Sequence, residues 1–159
     1  MTDPAFDVAA AHKFFSANCF NEAWEFIQKR DRARDDDEQM LLAASASMWH
    51  WTQRPDCTPT KKAIGWWQLS RINAILGRAD ASRRFAQLSL EHSSDEEPFF
   101  VGYAYEALAR AELVANNRAK SQEYLAEAQR RAELVTDIED RESLVSELRS
   151  LRAEINGRT

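Results

Sequence analysis

A chain of 159 residues, 30% charged and 44% hydrophobic, with a net charge of −5, suffices for one globular domain with its own core. No apolar run approaches the roughly 18–20 residues of a spanning helix, and MTDPAFDVAA lacks the basic region and apolar core of a secretory leader. Two isolated cysteines, Cys19 and Cys57, argue against a disulfide framework and for a reducing cytoplasm, while the acidic balance disfavours nucleic acid as a partner.

Asp3 as N-cap and Pro4 in the first turn open a predicted helix one that carries Phe6, Ala10 and Phe14 and ends near Ala17. After a short break at Asn18-Cys19, a second helix over 20–28 presents Phe20, Ala23, Trp24 and Ile27 at helical spacing. The charged run RDRARDDDEQ has no apolar periodicity, and its acids suit the positive end of helix three. Helix three, to about Gln53, has one stripe of Met40, Leu41, Ala44, Met48 and Trp51 and another of Leu42, Ala46 and Trp49, an arc wide enough for packing on two sides. It has no partner across a short turn, so residues 1–58 read as an irregular N-terminal part.

A turn with Pro55 and Pro59 leads into helix four over 59–76, stopped by Gly77. Helix five follows over 79–91, helix six over 98–115, and helix seven, after Asn116-Asn117, runs to about 135. Thr136 and Glu139 form a capping-box pattern for helix eight, whose Leu144, Leu148, Leu151 and Ile155 make one narrow stripe, with Gly157 just past its end. No strand pattern occurs, so the expected fold is all-α with about eight helices.

Residues 59–90 map onto themselves at an offset of 39: Trp66 on Tyr105, Leu69 on Leu108, Ser70 on Ala109, Gly77 on Asn116, Ser82 on Ser121, Phe85 on Tyr124 and Ser89 on Ala128. Two helices joined by so short a turn pack antiparallel, with small residues letting the axes approach and large ones filling the seam. One hairpin buries one face, so copies stack. The expected organisation is a single domain with repeat copies at 59–97 and 98–136 and a capping helix at 137–156.

These residues resemble the tetratricopeptide repeat: an aromatic, then Leu and a small residue, a turn Gly, and small residues flanking an aromatic in the second helix. The match is good over about 75 residues, with a weaker copy at Asn18, Phe20, Ala23 and Phe26. The 39-residue spacing departs from the family's roughly 34 residues. The resemblance implies a short right-handed solenoid of antiparallel hairpins whose first helices line a concave, peptide-binding groove. It puts Ile64, Trp67, Arg71 and Ala74, then Tyr103, Glu106, Arg110 and Leu113, on that groove, with Trp67, Arg71, Tyr103, Glu106 and Arg110 as candidate ligand contacts. The paired Asn and Lys of relatives that clamp a carboxyl-terminal peptide are absent; those places hold Gln68, Arg71, Ala107 and Arg110. Arg71 and Arg110, at matching places, read either as partners for a carboxylate or phosphate of the ligand or as surface salt bridges to Glu106. Trp66 belongs to the seam and Trp67, about 100° round the helix, to the groove. If helix three fills the concave side, Trp67 is core instead.

The implied function is non-catalytic binding of a protein or peptide partner, with no cofactor, metal or membrane. His12, His50 and His92 show no i, i+4 pairing, and four separated glycines make no phosphate loop. The alternative is a ligand-binding or enzymatic domain with an aromatic pocket between helices three and four near His50, since all five tryptophans lie between residues 24 and 67. A third reading is homo-oligomerisation through the leucine stripe of helix eight. Residues 59–94 are locally basic, with six Lys/Arg against two Asp/Glu, which reads either as a solvated face or as a patch for an acidic partner.

Overall fold

The computed structural model describes residues 5–157, which form seven helices and no strand. They are α1 (Val8–Gln28), α2 (Arg34–Thr52), α3 (Pro59–Ile75), α4 (Ala79–Ser93), α5 (Pro98–Val114), α6 (Arg118–Ala132) and α7 (Ile138–Gly157). The expected cap at Asp3 and Pro4 lies outside the described residues. Within them, Asp7 caps α1 by accepting the Ala10 N–H at 3.0 Å.

The expected break at Asn18-Cys19 is absent: helices one and two are the single helix α1. Asn and Cys are poor helix formers by only tenths of a kcal/mol each. Burial of the α1 face, with Ser16 and Ala23 fully inaccessible, outweighs that. The predicted lack of a partner for helix three is also corrected. This helix is α2, and it packs against α1 as closely as α3 packs against α4 and α5 against α6. The chain therefore contains three hairpins, followed by α7 against α5 and α6.

Matching positions in the two later hairpins make matching bonds. Gly77, at φ 72°, closes α3 by donating to the Ala74 carbonyl at 3.1 Å, while Arg78 N–H reaches the Asn73 carbonyl at 2.8 Å. Asn116, at φ 58°, closes α5 in the same way onto Leu113 at 3.1 Å, with Asn117 N–H on Glu112 at 2.8 Å. Ser82 Oγ donates to the Ser70 carbonyl at 3.0 Å, and Ser121 Oγ donates to the Ala109 carbonyl at 2.7 Å. The Trp66 and Phe85 rings stack at 5.6 Å, and Tyr105 and Tyr124 meet at 6.2 Å. An added Cβ at Gly77 meets nothing within 4 Å. Gly77→Ala is therefore expected to lower stability by the left-handed backbone cost alone, about 1–2 kcal/mol, read by urea denaturation.

Buried side chains form three clusters. One joins α1, α2 and α3 around Met40, Met48, Leu69 and Ile72. A small one joins α4 and α5 at Ala86, Ala107 and Leu108. The third seats Leu144, Leu148, Leu151 and Ile155 of α7 on α5 and α6. The predicted α7 stripe is thus buried within the chain, which removes it as a self-association surface. The start of α7 is capped by Asp137, whose Oδ1 accepts the Asp140 N–H at 3.0 Å, and not through the expected Thr136 box. Gly157 is its last residue, not one beyond it. No described helix is long and apolar enough to cross a membrane.

Candidate functional site

The first helix of every hairpin, together with α7, contributes to one open face. An aromatic ladder crosses it. Trp24 of α1 lies 5.8 Å from Trp67 of α3, Trp67 meets Tyr103 of α5 edge-on at 5.5 Å, and Tyr103 meets Phe99 at 5.0 Å. Tyr103 Oη lies 3.0 Å from Ser143 Oγ of α7. These rings wall a recess of about 370 Å³ that Phe20, Ile64 and Phe100 also line, with Glu147 as the one charged residue in its lining.

Behind the ladder lies a cluster of five charged side chains. Glu106, fully buried, accepts the Trp67 indole N–H at 3.1 Å and Arg71 Nη1 at 3.1 Å, and pairs with Arg110 one helical turn further on. Arg110 also reaches Glu147 and Glu154 of α7, both at 3.1 Å, and Arg71 reaches Glu147 at 3.4 Å. Three carboxylates thus face two guanidiniums. Burial alone pulls the Arg110 pKa down, but the field and hydrogen bond of Glu106, with Glu154 and Glu147, more than offset this and raise it. A second recess of about 360 Å³ continues past the cluster, lined by Arg71, Ala74, Arg110 and Leu113 with Ile27 and Arg32.

All five candidate contacts therefore meet on one face. Trp67 and Tyr103 wall the first recess, Arg71 and Arg110 line the second, and Glu106 joins them from beneath. The sequence reading leaves the two arginines either awaiting an acidic ligand or bridged to Glu106 at the surface; here both pair with Glu106, which is buried, and with carboxylates of α7. It missed Trp24, Phe99 and Glu147. Trp24 sits in the hairpin whose pairing was not recognised, and Glu147 lies on α7, where its i+3 spacing from Leu144 gave no sign of reaching the aromatic recess. The helix expected to threaten the concave side, α2, packs on α3 against Leu69, Ile72 and Trp66, and none of its residues lines the recess that Trp67 walls.

The tryptophans do not form the single pocket expected near His50. Trp66 is in the hairpin seam, Trp51 packs beneath Arg54 at 3.8 Å, and Trp49 is 56% exposed. His50 does not line the aromatic recess. Its Nδ1 instead lies 2.8 Å from that of His12 on the α1–α2 hairpin. Burial first, and the His12 charge second, lower the His50 pKa from 6.5. The folded state then binds fewer protons than the unfolded one, so His50's contribution is intact above pH 6.5 and declines as pH falls below it. Melting temperature is expected to drop modestly between pH 7.5 and 5.5, and His50→Gln should flatten that drop.

Among the described residues, no group of three or more His, Cys, Asp or Glu is arranged to hold a metal ion. Burial pushes both cysteine thiols up, away from the thiolate that nucleophilic chemistry needs. Comparison with known proteins returns no matching family model, no matching curated protein and no matching solved structure.

Proposed function

We propose that the chain is a tetratricopeptide-like, right-handed helical-repeat module whose concave face, built by α1, α3, α5 and α7, holds a peptide segment of a partner protein without catalysis. One observation carries this reading. The eight positions that the repeat register assigns to a groove collect on one open face: Ile64, Trp67 and Tyr103 at the first recess, Arg71, Ala74, Arg110 and Leu113 at the second, and Glu106 between them.

In this reading the aromatic recess takes a side chain of the peptide, and the Glu106 cluster holds the recess in shape. The Glu106 bond fixes the Trp67 ring plane before any ligand arrives, which reduces the ordering cost of binding. Arg71 and Arg110 accept an acidic group of the ligand only by exchanging it for Glu147 or Glu154, which are partly exposed.

Selection of binders from a displayed random peptide library tests this. Trp24→Ala and Tyr103→Ala are each expected to weaken the selected peptides at least about 10-fold, as truncated aromatic anchors do, whereas Trp49→Ala leaves them unchanged. Loss with Trp49→Ala but not with Trp24→Ala places the binding surface on the exposed end of the α1–α2 hairpin instead.

A further inference from the structure

The aromatic recess has a chemistry of its own. Four rings from three helices, those of Trp24, Trp67, Tyr103 and Phe99, succeed one another at 5.0–5.8 Å. Aromatic faces carry negative potential and attract cations, most strongly where water is displaced. Trp67 is biased further in this direction, because its N–H donates to the fully buried Glu106 carboxylate, which pushes electron density into the ring. The charge behind the recess has the same sign: Glu106, Glu147 and Glu154 outnumber Arg71 and Arg110, and Glu147 alone among the charged residues reaches the lining.

The polar complement narrows the choice of cation. An ammonium or guanidinium moved out of water needs an acceptor for each N–H. The recess offers few. Glu147 Oε2 already accepts from both arginines, and the Ser143 and Tyr103 hydroxyls pair with each other. That leaves Glu147 Oε1 and the Asn21 amide oxygen at the lining, fewer acceptors than the N–H groups of an ammonium or a guanidinium. A quaternary ammonium has no N–H to satisfy, is weakly hydrated, and presents methyl groups to the rings.

Resting on the peptide-groove reading above, we infer that the aromatic recess between α1, α3 and α5 receives a trimethylammonium group carried on a side chain of the partner peptide, as in a trimethylated lysine, with Glu147 as counter-charge.

The test titrates the full chain, by calorimetry, with alanine-flanked pentapeptides whose central residue is trimethyllysine, lysine, arginine or norleucine, and with free choline. Trimethyllysine is expected to bind about 10-fold more tightly than the other three peptides, and more tightly than choline, which lacks the flanking backbone. Glu147→Gln and Trp24→Leu should each reduce its advantage over norleucine to about 3-fold or less, with melting curves confirming an intact fold. Equal binding of norleucine overturns the cation inference and leaves an apolar anchor site. Tightest binding of arginine or lysine overturns the choice of cation, and choline binding as well as the peptide overturns the peptide as its carrier. If none of the probes binds while library-selected peptides still require Trp24, the inference fails and the groove stands; if those peptides do not require Trp24 either, both fail.

Discussion

Glu106→Ala is expected to destabilise the chain by about 3–5 kcal/mol, the cost of breaking a buried ion pair by removing one partner. For a domain of this size that lowers the melting temperature by roughly 6–20 °C. Glu106 is 0% exposed and Arg110 8%, so neither charge recovers its hydration when the other is lost. The substitution removes three interactions at once: the acceptor for Trp67 Nε1, the acceptor for Arg71, and the pair with Arg110. Glu147 and Glu154 remain, and they keep Arg110 from being wholly unpaired. Glu106→Gln retains shape and one acceptor oxygen, and should cost less than Glu106→Ala. The Trp67 ring loses its fixed orientation in the alanine variant, so its fluorescence should broaden and shift with the stability loss. A thermal and urea denaturation series on the three proteins reads the effect; equal stability of Glu106→Ala and wild type would mean that the cluster is solvated.

The second large effect concerns the seat of α7. Leu144 is fully buried, and its side chain lies where a Cβ at Gly102 would have to sit, 2.5 Å from Leu144 Cδ2. Leu144→Ala removes this packing and is expected to cost about 2–5 kcal/mol. Gly102→Ala alone should also destabilise, because the new methyl overlaps a well-packed leucine. With Leu144 already truncated the overlap is gone, and the methyl fills part of the cavity. The double variant should therefore be more stable than the sum of the single changes requires, by a coupling of about 0.5–3 kcal/mol. Additive effects would show that α7 does not rest against Gly102. Because α7 brings Glu147 to the groove, both single variants are also expected to weaken peptide binding.

Much of this arrangement was legible in the residues. The 39-residue offset located α3 to α6, because Gly77 and Asn116 end helices in the same left-handed turn and the same small residues recur at the hairpin contact. That Trp66 and Trp67 cannot share one seam followed from helical geometry, their assignment to seam and open face came with the repeat resemblance, and the leucine stripe of α7 is buried as its spacing indicates. The first hairpin was not legible for a physical reason. Its turn uses neither Gly nor Asn. Arg32 closes it, donating to the Ile27 and Lys29 carbonyls at 3.3 and 3.0 Å and pairing with Asp37 at 2.9 Å. A charged run that caps a helix through one side chain looks, in sequence, like a linker. The Glu106 cluster was hidden differently. Bridges from Arg71 and Arg110 to Glu106 can be read from the repeat, but only as solvated pairs; the residues do not show that Glu106 is fully buried, or that α7 brings Glu147 and Glu154 to the same guanidiniums. For the same reason an Arg71→Glu, Arg110→Glu double variant is a poor probe of binding, since it would set like charges against buried Glu106.

A peptide ligand is expected to enter the face formed by α1, α3, α5 and α7. Labelling with 5-fluorotryptophan gives one ¹⁹F resonance for each of the five tryptophans, assigned by single Trp→Phe variants. On titration with a library-selected peptide, Trp24 and Trp67 are predicted to shift while Trp49, Trp51 and Trp66 stay in place. Movement of Trp49 or Trp51 with Trp24 and Trp67 unmoved would contradict the groove and place binding on the outer side of the first hairpin.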